Sequence, residues 1–453
     1  MRRAHMHLNR RAVLVCLALV AACGLEKGEK NECTVQEDCL DGFVCMAGVC
    51  QMPMQCVPRT CQRNQCNMPD DGCGGHLDCG GCPSGQECGL ITDNECGILP
   101  PHCTNGHIDA SLGETGADCG GECGGCPTGG MCNTTNDCAS GNTCSDNVCL
   151  AGTWSTVADL PSPRERLAAV LGPDGLIYAI GGSGSGSTGV VEVYNPATNS
   201  WSARTPMLSP RYGFAAVVGN DGKIYTLGGQ YYSVSDDFRS TKAEAYDPAT
   251  DTWQALPSLP EGRYNPAAAV ALDGTIYVTG GYRGTTGQTF ASTIKLTPGA
   301  TSWVAVTPAM TSARSQHAMV RTADGKIYAI AGYNGSADLS SFEFMVPGTP
   351  GWNTLPPLTQ VRKQLAATVS GGKIYAIGGN APGVAVQNAT IEVYSPATNS
   401  WSRVANLPAG RYGHAAVTLP DGRIFVIGGR RAVIPPSVPN ESEQTPLVEV
   451  LTP

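Results

Sequence analysis

Apolar and polar residues follow a recurring pattern from residue 151 to the end of the chain. One copy is RYGHAAVTLPDGRIFVIGG, which runs from Arg411 to Gly429. Five near-copies precede it and begin at Arg164, Arg211, Arg263, Arg314 and Arg362. In each copy an alternating run leads through a turn, such as Asp421-Gly422, into an apolar run that ends in a glycine doublet, with Ala331 replacing one glycine. This pattern predicts a β-hairpin in every copy.

A second pair of strands is predicted after each hairpin. A variable loop is followed by a segment such as VEVYNPATNSW, residues 191–201, which indicates a strand, an Asn-Pro turn and the start of another strand. The tryptophans of the chain all fall at this last position, 47 to 52 residues apart: Trp154, Trp201, Trp253, Trp303, Trp352 and Trp401. Each repeat is therefore predicted to form four short strands.

The glycine doublet, the Tyr-x-Pro-x-Thr-x-x-Trp segment and a period of about 50 residues resemble the kelch repeat. The resemblance covers residues 151–453 and implies an all-β fold, a β-propeller with four-stranded blades. The repeat region begins with a lone fourth strand at Trp154 and ends with a lone third strand at 448–453. We therefore expect six blades, in a ring closed by pairing of the N-terminal strand with the C-terminal strand.

Charge is distributed unevenly and limits the choice of partners. The formal net charge is −9. Residues 24–150 carry 4 basic and 18 acidic side chains, a net of −14, whereas residues 151–453 carry 21 basic and 20 acidic side chains. These totals give no basic face for a nucleic acid, so none is predicted as a partner.

The first 22 residues are predicted to be an export signal. Four arginines precede the apolar run AVLVCLALVAA, which is too short to span a bilayer as a stable helix. The ending VAACG resembles a bacterial lipobox, which implies cleavage before Cys23 and its lipidation. The alternative is an ordinary signal peptide that contains a cysteine. The lipobox interpretation places the protein at the outer membrane or cell surface, held to the membrane by its lipid anchor only.

Residues 23–150 are predicted to form a stalk stapled by disulfides, because residues 24–150 hold twenty of the 22 cysteines. The spacing C-x5-C-x5-C-x4-C occurs twice, as Cys33, Cys39, Cys45, Cys50 and as Cys132, Cys138, Cys144, Cys149. Two C-x-x-C pairs, Cys79 with Cys82 and Cys123 with Cys126, could indicate zinc or thiol chemistry. Neither pair has the histidine or helix-start context for it, so we predict structural disulfides, no metal and no cofactor.

Successive strands of a blade run in opposite directions, so the segment before the first strand and the loop after the second strand lie at the same end of the blade. The repeat arginines and the loops after the glycine doublets are therefore expected on one rim of the propeller. We expect ligand binding there by Arg164, Arg211, Arg263, Arg314, Arg362 and Arg411, and by the tyrosines that follow three of them, Tyr212, Tyr264 and Tyr412. Such guanidinium groups suit carboxylate ligands, and the equivalent position in eukaryotic kelch domains helps to bind acidic peptides. The alternative is that each arginine holds loop carbonyl groups and touches no ligand.

Two classes of function remain open. The stalk and anchor favour a non-enzymatic module that presents the propeller to a protein or glycan ligand, with the rim facing away from the membrane. The alternative is a sugar mutarotase, similar to six-bladed kelch enzymes that act on sialic acid, with Glu165, Glu261, Asp236 or Asp237 as acid or base. We predict no catalytic residue. Copper oxidase chemistry is excluded because the repeat region has two histidines and no cysteine, and the Asp-box turns of sialidases are missing.

Overall fold

The structure is a computed structural model. It describes residues 125–231, 240–283, 288–381, 388–432 and 442–453, together with Cys119 and the backbone of four short strands before it. The chain divides into two compact units, Met1–Leu99 and Pro100–Pro453. In the first unit, two antiparallel pairs are described: β1 (Val44–Met46) with β2 (Val49–Gln51), and β3 (Glu87–Cys88) with β4 (Cys96–Gly97).

The second unit begins with a small disulfide-bonded segment. A short 3-10 turn, Thr135–Asp137, is followed by the hairpin of β5 (Asn142–Ser145) and β6 (Val148–Ala151). The hairpin turns at Asp146 and Asn147, which have φ of 53° and 61°. Both residue types tolerate this left-handed backbone, which a two-residue hairpin turn requires.

Three disulfides cross-link this segment. Cys132 is bonded to Cys144, Cys138 to Cys149 and Cys119 to Cys126. Cys126 is thus joined to Cys119 and does not pair with Cys123 of the C-x-x-C motif. The predicted bonds of Cys33, Cys39, Cys45 and Cys50, and lipidation of Cys23, concern side chains outside the described residues.

The repeat region is all-β and consists of four-stranded antiparallel sheets. The strands of the first three sheets are β8 (Ala168–Leu171), β9 (Ile177–Ile180), β10 (Val191–Asn195) and β11 (Ser200–Arg204); β12 (Ala215–Val218), β13 (Ile224–Leu227), β14 (Ala243–Asp247) and β15 (Thr252–Ala255); and β16 (Ala267–Val270), β17 (Ile276–Thr279), β18 (Thr293–Leu296) and β19 (Val304–Val306).

Two further sheets follow the same order along the chain. Their strands are β20 (Ala318–Arg321), β21 (Ile327–Tyr333), β22 (Asp338–Met345) and β23 (Asn353–Leu355); and β24 (Ala366–Ser370), β25 (Lys373–Ile377), β26 (Ile391–Ser395) and β27 (Ser400–Val404).

The sixth sheet combines both ends of the repeat region. Its order is β29 (Ala415–Thr418), β30 (Ile424–Ile427), β33 (Val448–Thr452) and β7 (Thr153–Thr156). The fourth strand therefore comes from the start of the region, and Leu451 pairs with Trp154 in the register. A small sheet of β28 (Arg411–Tyr412), β31 (Arg430–Ala432) and β32 (Ser442–Gln444) lies beyond the hairpin of this sixth sheet.

Neighbouring sheets pack against each other through their first strands and their apolar faces. β8 contacts β12, and the series continues through β16, β20, β24 and β29, which in turn contacts β8. One apolar cluster lies between each pair of neighbouring sheets, including the sixth and the first, where Phe425 packs near Tyr194. Burial of these aromatic and aliphatic side chains is the main stabilising contribution between sheets.

The glycine doublets allow neighbouring sheets to approach closely. Gly228 and Gly229 have φ of 70° and 97°, and a Cβ on Gly228 would lie 2.7 Å from the carbonyl oxygen of Arg263 in the next repeat. The amide of Gly229 donates to that same carbonyl at 2.7 Å. A side chain at Gly228 would separate the two repeats, and one at Gly229 would clash with Phe214 of its own repeat. Among the described residues, no helix combines the length and apolar character needed to cross a membrane.

The pairing of β33 with β7 generates a prediction about stability. Val450 is 1% exposed and lies opposite Ser155. We expect Val450→Pro to lower the free energy of unfolding by about 3 kcal/mol or more, because proline removes a backbone donor and distorts a central strand. Val450→Thr keeps the amide and the β-branched shape, and should cost about 1–2 kcal/mol. Urea unfolding would measure both, and equal stabilities for the two variants would contradict a structural role for this ladder.

Candidate functional site

The six repeat arginines are buried inside the sheets and are not exposed on the rim. Their exposed fractions range from 0% at Arg211 to 3% at Arg263. The prediction that Arg164, Arg211, Arg263, Arg314, Arg362 and Arg411 contact a ligand is therefore corrected, since no guanidinium group of this set is accessible in the structure. The alternative, that these side chains hold the repeat together, describes the geometry observed.

Each of five arginines forms an ion pair with a buried glutamate on the third strand of its own sheet. The pairs are Arg164–Glu192, Arg211–Glu244, Arg314–Glu343, Arg362–Glu392 and Arg411–Glu449. Burial lowers the pKa of Arg211, and the Glu244 carboxylate opposes that change. The pairing therefore keeps the buried guanidinium charged.

The same arginines also bind backbone carbonyl groups. Arg211 donates from Nη1 to the carbonyl oxygens of Gly228 and Lys242, at 2.8 Å each. Gly228 follows the second strand of the sheet and Lys242 precedes the third. Five of the arginines thus join the segment before the first strand to the adjacent ends of the second and third strands. Arg164 instead donates to the carbonyl of Ala179 within the second strand. Every repeat therefore uses its arginine to join its own strands.

Arg263 is the exception because Ile294 stands where the other sheets have glutamate. Its Nη1 donates to the carbonyl of Gly280 at 2.6 Å, and its guanidinium lies 4.3 Å from the centre of the Phe290 ring. Burial lowers the pKa of Arg263 to about 10, and the more distant Glu261 opposes this shift. A cation–π contact and carbonyl acceptors replace the missing carboxylate.

A ring of backbone hydrogen bonds links the residues that lie two positions after each repeat arginine. We call these residues the axial ring: Arg166, Gly213, Asn265, Gln316, Gln364 and Gly413. Each amide donates to the carbonyl of the preceding member, and Arg166 donates to Gly413, with distances of 2.6 to 3.1 Å. All six have a positive φ, between 50° and 62°. The ring therefore consists of main-chain atoms in a left-handed conformation.

A pocket of about 100 Å³ opens at this ring, and we call it the axial mouth. It is lined by the axial ring and by the residue after each member: Leu167, Phe214, Pro266, His317, Leu365 and His414. Burial, and to a smaller extent the nearby Arg411, lower the pKa of His414 to about 3. Burial also places the pKa of His317 well below its usual range. Both imidazoles are therefore neutral at neutral pH and add no charge to the mouth.

Arg166 is the cationic member of the axial ring. Its side chain is 30% exposed, and Nη1 donates to the phenol oxygen of Tyr264 at 2.7 Å. Its guanidinium also lies 5.9 Å from the centre of the Tyr212 ring. Burial lowers the pKa of Arg166, but Tyr264, Glu165, Tyr212 and Tyr412 together raise it above its usual value, so the group stays charged. A partly exposed guanidinium held by aromatic rings is suited to pairing with a carboxylate.

The predicted tyrosines lie around this arginine. Tyr212 and Tyr264 contact each other edge to face, with ring centres 5.7 Å apart. Gly213 makes room for Tyr264, because a Cβ at Gly213 would lie 2.5 Å from its ring. Tyr412 pairs with Arg430 in the small sheet that continues the sixth repeat. The structure thus brings Tyr212 and Tyr264 together with Arg166, a residue that sequence reasoning did not select.

Other charges on this face are mostly paired. Glu165 is 7% exposed and lies 3.5 Å from Arg430 and 4.0 Å from Arg166, while Glu261 lies 4.0 Å from Arg283. Asp236 and Asp237, the other acid or base candidates, lie outside the described residues. Glu165 and Glu261 therefore both form ion pairs with arginine side chains.

Comparison with known families identifies the repeat. The model named KLHDC2/KLHL20/DRC7 Kelch-repeats domain matches residues 266–436, and the Kelch motif matches residues 166–208 and 210–260. These matches lie within the region where the six repeats were read from the sequence.

Individual relatives carry the same name. The chain is 31% identical to mouse Kelch-like protein 35 over 188 residues, which cover 41% of this chain and 31% of that protein. It is 29% identical to Kelch-like protein terF of Aspergillus terreus over 307 residues, which cover 62% of this chain and 65% of that protein. A solved structure titled "Structure of YjhT" has a TM-score of 0.57 and 17% identity, and covers 66% of this chain and 100% of its own. At that identity the likeness concerns the fold alone.

The buried ion pairs lead to a second prediction. Glu343 and Arg314 are both fully buried, so Glu343→Gln leaves an uncompensated buried cation. We expect it to lower the free energy of unfolding by about 3–5 kcal/mol. The matched control is Glu443→Gln, which affects an exposed pair with Arg431 and should cost about 1 kcal/mol or less. If chemical denaturation finds the two variants equally stable, the ion pair has no structural importance.

Proposed function

We propose that this chain, a kelch-repeat protein, works as a non-enzymatic protein-interaction module built on a closed six-bladed propeller. Three observations support the closed ring: the strand β7 in the sixth sheet, the contacts of β29 with β8, and the hydrogen bond from Arg166 to Gly413. A closed ring completes the sixth sheet with its fourth strand and holds the loops of six repeats on one rigid face.

The proposed binding site is the axial mouth, and the ligand is an acidic segment of a partner protein. The observation that carries this proposal is the position of Arg166, whose guanidinium is partly exposed while the six repeat arginines are buried. The Tyr264 phenol holds Arg166 in place, so a carboxylate would meet a donor that is already oriented. Likeness to kelch domains favours a protein ligand; a carboxylated glycan would use the same donor.

The attachment of the stalk supports an orientation for this site. β33 starts next to the glycine doublet at Gly428 and ends at Thr452, which pairs with Thr153. The chain therefore enters β7 at the end of the sixth sheet that lies away from the doublets and from the axial mouth. If the stalk leads to a membrane anchor, the axial mouth faces away from the membrane.

The anchor itself is a proposal that rests on the lipobox-like segment before Cys23. Export is supported by the apolar run of residues 12–22 and by the three disulfides of the second unit, which form in oxidising compartments. Together these features favour a lipoprotein of the outer membrane or cell surface.

The binding proposal predicts that Arg166→Gln weakens binding of acidic peptides. The full chain would be screened on an array of acidic peptides and carboxylated glycans, and the best peptide measured by calorimetry. We expect an affinity loss of about tenfold to hundredfold, because one charge-assisted contact to a carboxylate is removed. The matched control is Arg423→Gln, since Arg423 lies on a turn at the opposite ends of the strands, paired with Asp421.

The outcomes separate the possible partners. A folded Arg166→Gln variant that binds acidic peptides as tightly as the wild type would refute the axial mouth as the site. If the wild type binds only carboxylated glycans and the Arg166→Gln variant loses them, the partner is a glycan and the site remains the axial mouth.

The anchor predicts incorporation of fatty acid at one cysteine. In a bacterial host, Cys23→Ala should abolish labelling with tritiated palmitate and release the protein from the membrane fraction, because the acylated thiol is lost. Cys16→Ala is the control, since this cysteine lies within the apolar run and should not affect labelling. Undiminished labelling of the Cys23 variant would rule out lipidation at this position.

A further inference from the structure

Aromatic side chains fill the space between several neighbouring sheets at the face opposite the axial mouth. The second strand of each sheet carries Tyr178, Tyr225, Tyr277, Tyr328, Tyr375 or Phe425. In three cases the next sheet places a tyrosine ring against it: Tyr178 with Tyr246, Tyr328 with Tyr394 and Phe425 with Tyr194, with centres 5.7 to 6.4 Å apart. A covering tyrosine thus occurs at three of the six contacts between neighbouring sheets.

The covering tyrosine also has a fixed hydrogen-bond partner. Its hydroxyl donates to the side chain five residues later, as in Tyr246 to Asp251 at 2.6 Å and Tyr394 to Asn399 at 2.7 Å. In the third sheet Leu296 replaces the tyrosine and Thr301 replaces the acceptor. Both halves of the interaction are therefore absent at the contact between the second and third sheets.

The facing ring, Tyr225, is partly exposed. It is the only one of the six second-strand aromatic residues that is not buried, the others being 5% exposed or less. Met345 and Leu451 also replace a tyrosine, yet the rings they face, Tyr277 and Tyr375, remain buried. The exposure of the ring is thus particular to Tyr225.

A groove of about 510 Å³ opens over Tyr225, and we call it the turn-face groove. Leu256, Ile276, Leu296 and Pro298 line its apolar part. Leu272, which is 62% exposed, adjoins it next to a smaller pocket of about 220 Å³ that includes Val346. Apolar surface is thus exposed beside Tyr225, whose counterparts in the other sheets are buried. Such a surface indicates a site for another aromatic ring.

Two carboxylates give the groove its charge. Asp221 accepts the hydroxyl of Tyr225 at 2.7 Å, and Asp273 accepts the amide of Thr275 at 2.9 Å. Neither forms a salt bridge within the described part of the chain, whereas Asp324 and Asp421 at the same turn position pair with Lys326 and Arg423. A cation of a ligand could pair with an aspartate at this turn, as Lys326 and Arg423 do with the equivalent aspartates of two other sheets.

We propose that the turn-face groove binds an aromatic side chain of a partner protein that is flanked by a basic residue. The ring takes the place of the missing tyrosine against Tyr225 and Leu296, and the basic side chain pairs with Asp273. This site lies on the face opposite the axial mouth and carries the opposite charge. The two surfaces therefore select different segments, and both can be occupied at once.

The test uses the full chain and three blocked dipeptides as probes. N-acetyl-Lys-Tyr-amide carries the ring and the cation, N-acetyl-Gln-Tyr-amide lacks the cation, and N-acetyl-Lys-Ala-amide lacks the ring. By ligand-observed NMR titration we expect the first to bind with a Kd of about 1 mM. Each of the other two should bind about fivefold to tenfold more weakly.

Two variants connect the binding to the groove. Leu296→Tyr combined with Thr301→Asn restores the repeat pattern and fills the site, so it should abolish binding while keeping or raising the melting temperature. Asp273→Asn keeps the acceptor for Thr275 but removes the charge, and should reduce binding of the Lys-Tyr probe to that of the Gln-Tyr probe. Asp174→Asn is the matched control, because Tyr178 beside it is already buried, and it should leave binding unchanged.

Three results would overturn the proposal. The first is no saturable binding of the Lys-Tyr probe. The second is equal binding by a folded Leu296→Tyr, Thr301→Asn variant. The third is an equal effect of Asp174→Asn and Asp273→Asn, which would show that the cation does not recognise this groove. None of these results depends on Arg166, so they are independent of the experiment on the axial mouth.

Discussion

The buried arginine of each repeat is the interaction on which the architecture depends. It reaches from the segment before the first strand to carbonyl groups on or beside the second strand, and in five sheets it meets a buried glutamate. A guanidinium group without such acceptors would be costly to remove from water. The position of the doublet, and with it the close approach of the next sheet, follows from satisfying this one charge. The arginine therefore organises the backbone around it.

The strand pattern could be predicted from the sequence because period-two alternation, turn residues and in-phase tryptophans are all local signals. The burial of the arginines was not predicted, although a signal was present. Glu192, Glu244, Glu343, Glu392 and Glu449 occupy one position of otherwise apolar strands, and a charge recurring at a buried position needs a partner of opposite sign. The recurrence of one arginine and one glutamate in the same five repeats is therefore sufficient to predict the ion pair.

Arg166 could not be found in this way because it occurs once. What its position shares with the other repeats is backbone conformation: arginine, glycine, asparagine, glutamine, glutamine and glycine stand there, all at positive φ. Glycine and asparagine favour that conformation, which hints at a constrained backbone but says nothing of ligands. The third sheet is a similar case, since Ile294 and Leu296 are ordinary strand residues and only their departure from the other repeats makes them informative. A residue that occurs in one repeat only cannot be identified from the features that all repeats share.

The axial ring joins neighbouring sheets through main-chain hydrogen bonds. Its hydrogen bonds join amide to carbonyl, so the identity of the side chains contributes nothing to the connection between sheets. The side chains at these six positions can therefore differ from repeat to repeat while the hydrogen-bonded backbone stays the same. Two of these positions hold glycine, and at Gly213 the space that a side chain would need is filled by the ring of Tyr264. A protein with the same backbone could therefore present a mouth of different shape and charge without any change of fold.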